Sequence, residues 1–242
     1  LRRRRAPILT GGARRRTGAV RDRTSRPLLL VSAVALAVGW IEAALALDPA
    51  ARPASLLSDT WSVAEGLPQA TVRAIAQDRE GDLWLGTEEG LARFDGVRFQ
   101  VHDPGNTPAL RRPDVRSLLL ASDGSLLVGT TGGLARREGT RIAAVEAIPS
   151  GLAVESLAEG PDGTFWVGTD SGLFALRGGK AQRFSTRDGL AGDFVRALLA
   201  ARDGSVWIGT RSGLTRLEGE RTTTWRARDG LPDDYVTALA EG

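Results

Sequence analysis

The sequence predicts an all-β fold, an incomplete β-propeller of four four-stranded blades and part of a fifth. Three observations lead to this prediction: a repeat whose copies lie 43, 39 and 41 residues apart, an acidic-residue-Gly turn at one place in each copy, and no helical periodicity beyond residue 47. Asp-Gly between two apolar runs is a strong hairpin signal. Four short strands repeated with this period are typical of propeller blades.

The repeated unit begins with Val and continues through Trp-x-Gly-Thr to Gly-Leu. The spacing inside the unit is constant: the Trp position lies twelve residues after Val, and Gly-Leu begins four residues after Gly-Thr. Only the segment between Gly-Leu and the next Val varies in length, which indicates rigid units joined by a tolerant loop. The four inner strands are expected near 72, 115, 154 and 195, and a partial fifth begins at Val236.

Each unit supplies four strands from the inside of the blade outwards. The first strand is apolar with a small third residue, which suits the crowded inner position. In the first unit, the turns are Glu80-Gly81, Gly90-Leu91 and Asp95-Gly96, and the strands that follow them include Leu83–Thr87 and an outer strand at Val97–Val101. These runs have the β-rich composition of short strands.

A second motif, an aromatic residue followed five positions later by Gly-Leu, links the units. It begins at Trp61, Phe184 and Trp225. Because Trp61 precedes the first inner strand, we expect the propeller region to open with an outer strand, which propellers pair with their last blade to protect both edges. In the second unit Glu146 stands at the aromatic position before Gly151-Leu152, and Leu127 replaces Trp. We therefore expect blade 2 to be distorted.

These motifs resemble the two-component regulator propeller repeat, in which Asp-Gly-Leu-Pro precedes a Val-led strand and Asp-x-x-Gly-x-x-Trp-x-Gly-Thr-x-x-Gly-Leu follows it. Residues 78–91 match nearly throughout, and the resemblance covers 59–242. It implies a seven-bladed propeller, which needs about 290 residues at this period. Only 182 residues follow Thr60, so we expect a truncated or fragmentary propeller. Closure with four blades is disfavoured, because the Trp61 and Trp225 segments would compete for one outer-strand position.

The resemblance also implies a function. Propellers of this family sense ligands on the periplasmic side of the bacterial inner membrane, ahead of an immunoglobulin-like domain, a membrane helix and a cytoplasmic histidine kinase or diguanylate cyclase. We therefore expect a membrane-tethered, dimeric parent receptor whose propeller is not itself an enzyme. The Arg-, Ala- and Gly-rich composition slightly favours the cyclase. A stand-alone secreted interaction scaffold is the alternative, followed by a propeller lyase or glycan-active enzyme.

The first 58 residues have a different character. We interpret 1–26 as a basic irregular leader, 27–47 as a signal peptide or membrane anchor, and 48–58 as a linker. Residues 28–41 are an uncharged apolar run, Glu42 interrupts it, and Ala43–Ala46 offers a small-residue cleavage pattern. This order is that of a secretory signal, and a spanning helix needs about twenty apolar residues. We expect export, with the signal either cleaved or retained.

The charge distribution argues against a nucleic-acid partner. Residues 1–47 contain ten Arg against Asp22 and Glu42, a net charge of +8, whereas the whole chain carries +3. The remaining residues therefore carry −5, and a nucleic-acid-binding domain would carry its basic stripe on the folded part. There is no Cys, which excludes a disulfide framework and thiol chemistry.

The candidate ligand-binding residues are Arg73, Arg116 and Arg196, with Glu155 at the same position of the third unit. They follow the inner-strand Val, where side chains can face the central channel or its mouth. Arginine pairs well with anions, so a ring of three would suit an anionic oligosaccharide or small molecule outside the membrane. Solvated side chains or ion pairs within each blade are the alternative.

Other chemistry-bearing residues have structural explanations. Trp84, Trp166 and Trp207 recur at one repeat position, which predicts blade-to-blade packing rather than carbohydrate stacking. Asp162 and Asp203 lack the alternate spacing of calcium ligands, and hairpin turns explain them.

The single histidine, His102, is expected to be a loop residue. We assign no catalytic, metal-binding or cofactor-binding residue, and expect no cofactor. The irregular loop Asp103–Pro113 is the favoured place for a function outside the repeat, since loops on rigid scaffolds carry binding.

Overall fold

The computed structural model describes residues 59–241, which form four antiparallel sheets of four strands each. Blade 1 contains β1 (Val72–Gln77), β2 (Leu83–Thr87), β3 (Gly90–Phe94) and β4 (Phe99–His102). Blade 2 contains β5 (Val115–Leu120), β6 (Leu126–Thr130), β7 (Gly133–Glu138) and β8 (Arg141–Ala144). Blade 3 contains β9 (Val154–Glu159), β10 (Phe165–Thr169), β11 (Gly172–Arg177) and β12 (Lys180–Phe184). Blade 4 contains β13 (Val195–Ala200), β14 (Val206–Thr210), β15 (Gly213–Glu218) and β16 (Arg221–Trp225).

The predicted all-β propeller class with four four-stranded blades is confirmed. In every blade the strands pair in sequence order, and the first strands of successive blades pack beside one another. No packing of this kind joins blade 4 to blade 1 among residues 59–241. The predicted leader and the signal or anchor lie outside the described residues. Across 59–241 no helix is both long and apolar enough to cross a membrane.

The glycine of each Gly-Thr pair lies directly beneath the first Val of the next blade. A Cβ atom built on Gly86 would come within 2.6 Å of Val115 Cγ1, and one built on Gly209 within 2.7 Å of Val236 Cγ1. Real side chains do not approach so closely, so the blades can adopt this spacing only if the residue is glycine. Val236 also donates its N–H to the Thr210 carbonyl at 3.0 Å, which places it where a fifth inner strand would begin.

The threonine of the pair fixes the following turn. The Thr87 hydroxyl is fully buried and donates to the Gly90 carbonyl at 2.9 Å, while it accepts the N–H of Glu89 at 3.3 Å. The same two bonds form around Thr130, Thr169 and Thr210. Each part of the repeated Gly-Thr-x-x-Gly motif thus has a structural role. The first glycine allows the close contact with the next blade, and the turn provides hydrogen-bond partners for the buried threonine hydroxyl.

The tryptophan position packs between blades, as predicted, wherever a following blade is present. Trp84 is 1% exposed and belongs to a core cluster with Val128 of blade 2, and Trp166 packs against a cluster that includes Ile208 of blade 4. Trp207 is half-buried and stacks on Trp225 of its own blade, with ring centroids 5.5 Å apart.

The expected distortion of blade 2 is wrong. Leu127 is fully buried in place of Trp, and every residue of β6 is buried. Its position in the core accepts a smaller apolar side chain because Ile148 and Phe174 pack in the same cluster.

The aromatic position of blade 2 is also not where the motif placed it. Val145 donates its N–H to the Leu134 carbonyl at 2.9 Å, which is the register in which Phe184 pairs with Leu173. Glu146 is exposed instead. The segment between this aromatic position and Gly151-Leu152 is one residue longer than the corresponding segment of blades 3 and 4. Counting back five residues from Gly151 therefore placed the aromatic position at Glu146 instead of Val145.

Two boundaries in blade 1 differ from prediction. No strand forms at Trp61 within the described residues; its ring packs on Phe94 with centroids 5.0 Å apart. A short 3-10 turn, Val63–Glu65, follows and is closed by the capping box of Ser62 and Glu65. The outer strand begins at Phe99 rather than Val97, because Asp95 accepts the N–H groups of two residues in the preceding turn.

We expect Gly86→Ala to destabilise the protein by about 1–3 kcal/mol, because the new methyl group would lie 2.6 Å from Val115 Cγ1 and force blades 1 and 2 apart. Urea denaturation of the full chain measures the change. The control is Gly105→Ala, whose nearest neighbour is Asp103 Oδ1 at 3.0 Å, and which should change stability by less than about 1 kcal/mol. Equal effects of the two substitutions would contradict the close-approach explanation.

Candidate functional site

The three arginines predicted to bind a ligand do lie at one level of successive inner strands, but acidic side chains already pair with all three. Arg116 Nη2 lies 2.8 Å from Asp114, and Arg196 Nη1 lies 2.9 Å from Glu155. Arg73 pairs with Glu88 in its own blade. The predicted ring of positive charge is therefore a row of alternating charges.

Most of these pairs join different blades. Arg73 approaches Asp114 of the blade 1–2 connection at 3.6 Å, and Arg116 approaches Glu155 of blade 3 at 3.7 Å. The Glu155 side chain is 5% exposed, so that it contacts guanidinium groups from both neighbouring blades. Because the charges are compensated within the protein, this row favours blade cohesion over anion binding. The anion-binding role of the arginines stays a prediction.

We expect Glu155→Gln to destabilise the chain by about 1–3 kcal/mol, because it leaves two guanidinium groups facing an uncharged, nearly buried side chain. The matched control is Glu146→Gln, which breaks the pair with Arg111 at 2.6 Å but whose side chain is 78% exposed. That substitution should cost less than about 1 kcal/mol. Urea denaturation midpoints compare the two, and an equal cost would show that the inner row does not hold the blades together.

The aspartates of the hairpin turns form hydrogen bonds within their own turns, which agrees with the structural role predicted for them. Asp162 accepts the N–H and the hydroxyl of Thr164, and Asp203 accepts the same groups of Ser205. These bonds lower the pKa of both carboxyl groups. Among residues 59–241 there is no group of three or more His, Asp or Glu side chains arranged to hold a metal ion.

A groove lies at the junction of blades 1 and 2. Its volume is about 510 Å³, and it is formed by the outer strand β4, the loop after it, and the β7–β8 turn of blade 2. We call it the junction groove. Its lining residues are Gln100, Val101, His102, Asn106, Thr107, Pro108, Ala109, Thr140 and Ile142.

The loop that borders the junction groove is held by its own hydrogen bonds. Asp103 Oδ1 accepts the N–H of Gly105 at 2.7 Å, and the Asn106 amide donates to the Val101 carbonyl at 3.1 Å. Asn106 Oδ1 in turn accepts the Thr107 hydroxyl at 2.8 Å. His-Asp-Pro-Gly-Asn, which has no counterpart in the other units, therefore folds into a defined turn.

The loop ends in a strained turn at Arg111. Arg111 has φ 58° and ψ −38°, the one non-glycine positive φ among the described residues, and the Arg112 N–H donates to the Leu110 carbonyl at 2.6 Å. This is a three-residue γ-turn of the rare, strained form. Backbone strain of this type costs about 1–3 kcal/mol and concentrates at functional sites. The turn follows directly after Leu110, whose side chain packs in the core cluster shared by blades 1 and 2 and is 1% exposed.

The expectation that His102 is a loop residue is wrong, because it is the last residue of β4 and occupies the aromatic position of blade 1. It pairs with Leu91, as Phe184 pairs with Leu173, and its ring stacks on Trp84 with centroids 5.9 Å apart. A signal was available: the aromatic position lies eleven residues after the Leu of Gly-Leu in every unit. The polar lining residues Gln100 and Thr140 carried no comparable signal, since outer strands and turns are usually polar.

The environment of His102 disfavours its charged form. Burial, followed by the positive charges of Arg137 and Arg93, lowers the pKa of its imidazole from the usual 6.5, against a smaller opposing effect of Asp103. Nδ1 lies 3.2 Å from the Thr107 hydroxyl. Because the Thr107 hydroxyl donates to Asn106 Oδ1, Nδ1 is the donor in this bond, and Nε2 of the neutral imidazole is left as a hydrogen-bond acceptor.

Stability should fall as the pH drops from 7 towards 5. The folded protein binds a proton on His102 less readily than the unfolded chain does, so the stabilisation is complete above about pH 6.5 and is lost as the pH approaches the folded pKa. His102 is the only histidine of the chain. His102→Phe, which restores the aromatic found in blade 3, should make the urea midpoint nearly constant over this range. An unchanged slope in the variant would contradict the assignment.

Two stretches of the chain, residues 66–89 and 189–212, match the family model described as two component regulator propeller. These two stretches are copies of the two-component regulator propeller repeat. Both stretches run from the Gly-Leu of a blade connection through the first two strands of the blade. The resemblance based on the repeated motifs is confirmed.

Among known proteins, histidine kinase P4 of Formosa agariphila is 36% identical to this chain over 58 residues. That segment is 24% of the chain and 4% of the kinase.

Among solved structures, the extracellular domain of a putative hybrid two-component system of B. thetaiotaomicron superposes on this chain with a TM-score of 0.62 at 21% identity. The extracellular domain of a putative one-component system of the same organism superposes with a TM-score of 0.61, also at 21% identity. Each match covers 70% of this chain and 24% of the other. Virginiamycin B lyase of Staphylococcus aureus reaches 0.51 at 14% identity, over 64% of this chain and 55% of the lyase. Identities this low show the shared propeller fold.

Proposed function

We propose that this protein is the extracytoplasmic sensory region of a transmembrane signalling receptor, in which ligand binding outside the membrane biases an output domain inside. The observation that carries the proposal is the match of two repeats to the regulator propeller family. The segment shared with a histidine kinase supports it, as does the likeness to propellers described as extracellular domains of two-component and one-component systems.

The leader supports the same location. The basic region, short apolar run and small residues of 1–47 have the order of an export signal. The propeller itself is proposed to be non-enzymatic and to act by binding, with the chemistry carried by a histidine kinase or diguanylate cyclase beyond the membrane.

The proposal requires that the propeller be exported. Alkaline phosphatase, which is active only outside the cytoplasm, should be active when fused after Gly242, whereas green fluorescent protein fused at the same place should stay dark. Deletion of residues 27–47 should reverse both results, because it removes the apolar run. A fluorescent fusion with the full chain, together with an inactive phosphatase, would refute the sensory proposal.

A further inference from the structure

We propose that the junction groove is a binding site for an uncharged, hydroxyl-rich small molecule. The inference rests on the sensory function proposed above for its biological role, and names the site and the ligand class that would serve it. The groove's volume of about 510 Å³ lies in the range of small-molecule sites.

The lining of the junction groove is uncharged, which distinguishes it from two other grooves of the described blades. The groove beside blade 2 is bordered by Arg136, Glu138 and Arg141, and that between blades 3 and 4 by Arg177 and Lys180. No Asp, Glu, Lys or Arg side chain lines the junction groove. A ligand carboxylate would find no cation there, and a ligand ammonium would find no carboxylate.

The polar groups of the groove match hydroxyl groups. The Gln100 amide and the Thr140 hydroxyl, both on exposed residues, form no hydrogen bond with the protein within 59–241. His102 Nε2 forms none either, since the one bond of that ring is made by Nδ1. The amide and the hydroxyl each offer both a donor and an acceptor, and His102 Nε2 offers an acceptor, so that all three can pair with ligand hydroxyl groups. These protein groups come from two blades, on either side of the groove.

The apolar part of the lining suits the carbon skeleton of such a molecule. Val101, Pro108, Ala109 and Ile142 lie among the polar groups. A wholly apolar ligand would leave the amide and hydroxyl groups without partners, which weakens binding. Alternating apolar and hydrogen-bonding surface therefore favours a polyol or saccharide.

The site is formed before any ligand binds. Hydrogen bonds of Asp103 and Asn106 hold one wall, the γ-turn at Arg111 ends it, and stacking on Trp84 orients the imidazole. Preorganisation lowers the entropy lost on binding. The non-repeating loop accordingly supplies a fixed wall of the groove.

The single histidine allows a direct test. The full chain, labelled at histidine with carbon-13 and kept in a detergent without a sugar headgroup, gives one imidazole signal from folded protein, which reports on the groove. Three monosaccharides of nearly equal size separate the effect of charge: glucose is neutral, glucosamine is a cation and glucuronate is an anion. Maltose tests a longer neutral saccharide, and N-acetylglycinamide tests a neutral peptide group.

We expect glucose or maltose to shift the imidazole signal in a saturable way, and the two charged sugars to shift it several-fold less at equal concentration and at constant pH. Gln100→Ala should weaken the binding about threefold to tenfold, the effect of one lost hydrogen bond. The matched control is Gln182→Ala, at the same outer-strand position of blade 3, which should leave the affinity unchanged. Thr140→Val, which keeps the side-chain shape, tests the opposite wall should Gln100→Ala fail to fold.

Any of three results would overturn the inference: no shift with either neutral sugar, equal shifts with the charged sugars, or equal weakening by the Gln182 substitution. A saturable shift with N-acetylglycinamide alone would replace the hydroxyl-rich ligand by a peptide and overturn it as well. The export test is independent of these. An exported chain without a shift refutes the ligand inference alone, and a chain that binds sugar but is not exported refutes the sensory proposal alone.

Discussion

The structure depends on one contact, the packing of an inner-strand Val against the glycine of the preceding blade. That contact sets the distance between blades, because any side chain in place of glycine would collide with the valine, as at Gly86 and Val115. At this distance the Trp position of one blade reaches the core of the next, where Trp84 is 1% exposed. The adjacent Thr87 is buried by the same approach and must satisfy its hydroxyl locally. Tight packing between blades therefore explains why the spacing within the Val…Trp-x-Gly-Thr…Gly-Leu unit is the same in all four copies.

Charged residues at the inner strands serve the same purpose. Arg116 lies between Asp114 and Glu155, so that its charge is compensated across a blade boundary. Positions that recur in every blade contribute to packing between blades, and a ligand site is more readily formed where the repeat is broken. The blade 1–2 connection is such a place: His102 replaces an aromatic residue, and Arg111 adopts a conformation otherwise taken by glycine.

The propeller fold by itself does not decide the function. It is shared with extracellular domains of signalling systems and with a lyase, all at 21% identity or less, and a fold supports many functions through the sites that are placed on it. A sensory role is therefore proposed from the match of two repeats to the regulator propeller model. The ligand class is proposed from the uncharged groups of the junction groove.

The fold class, the number of blades in the described region and most strand positions could be predicted from the repeat, because its constant spacing reflects local turns and close contacts that recur in each blade. The sequence did not determine which residues meet across a blade boundary. The alternation of Arg73, Asp114 and Arg116 is invisible along the chain, and Gln100 and Thr140, forty residues apart, line one groove only after blades 1 and 2 pack. Side-chain partners at such distances are decided by tertiary packing, which brings together residues that no local pattern connects.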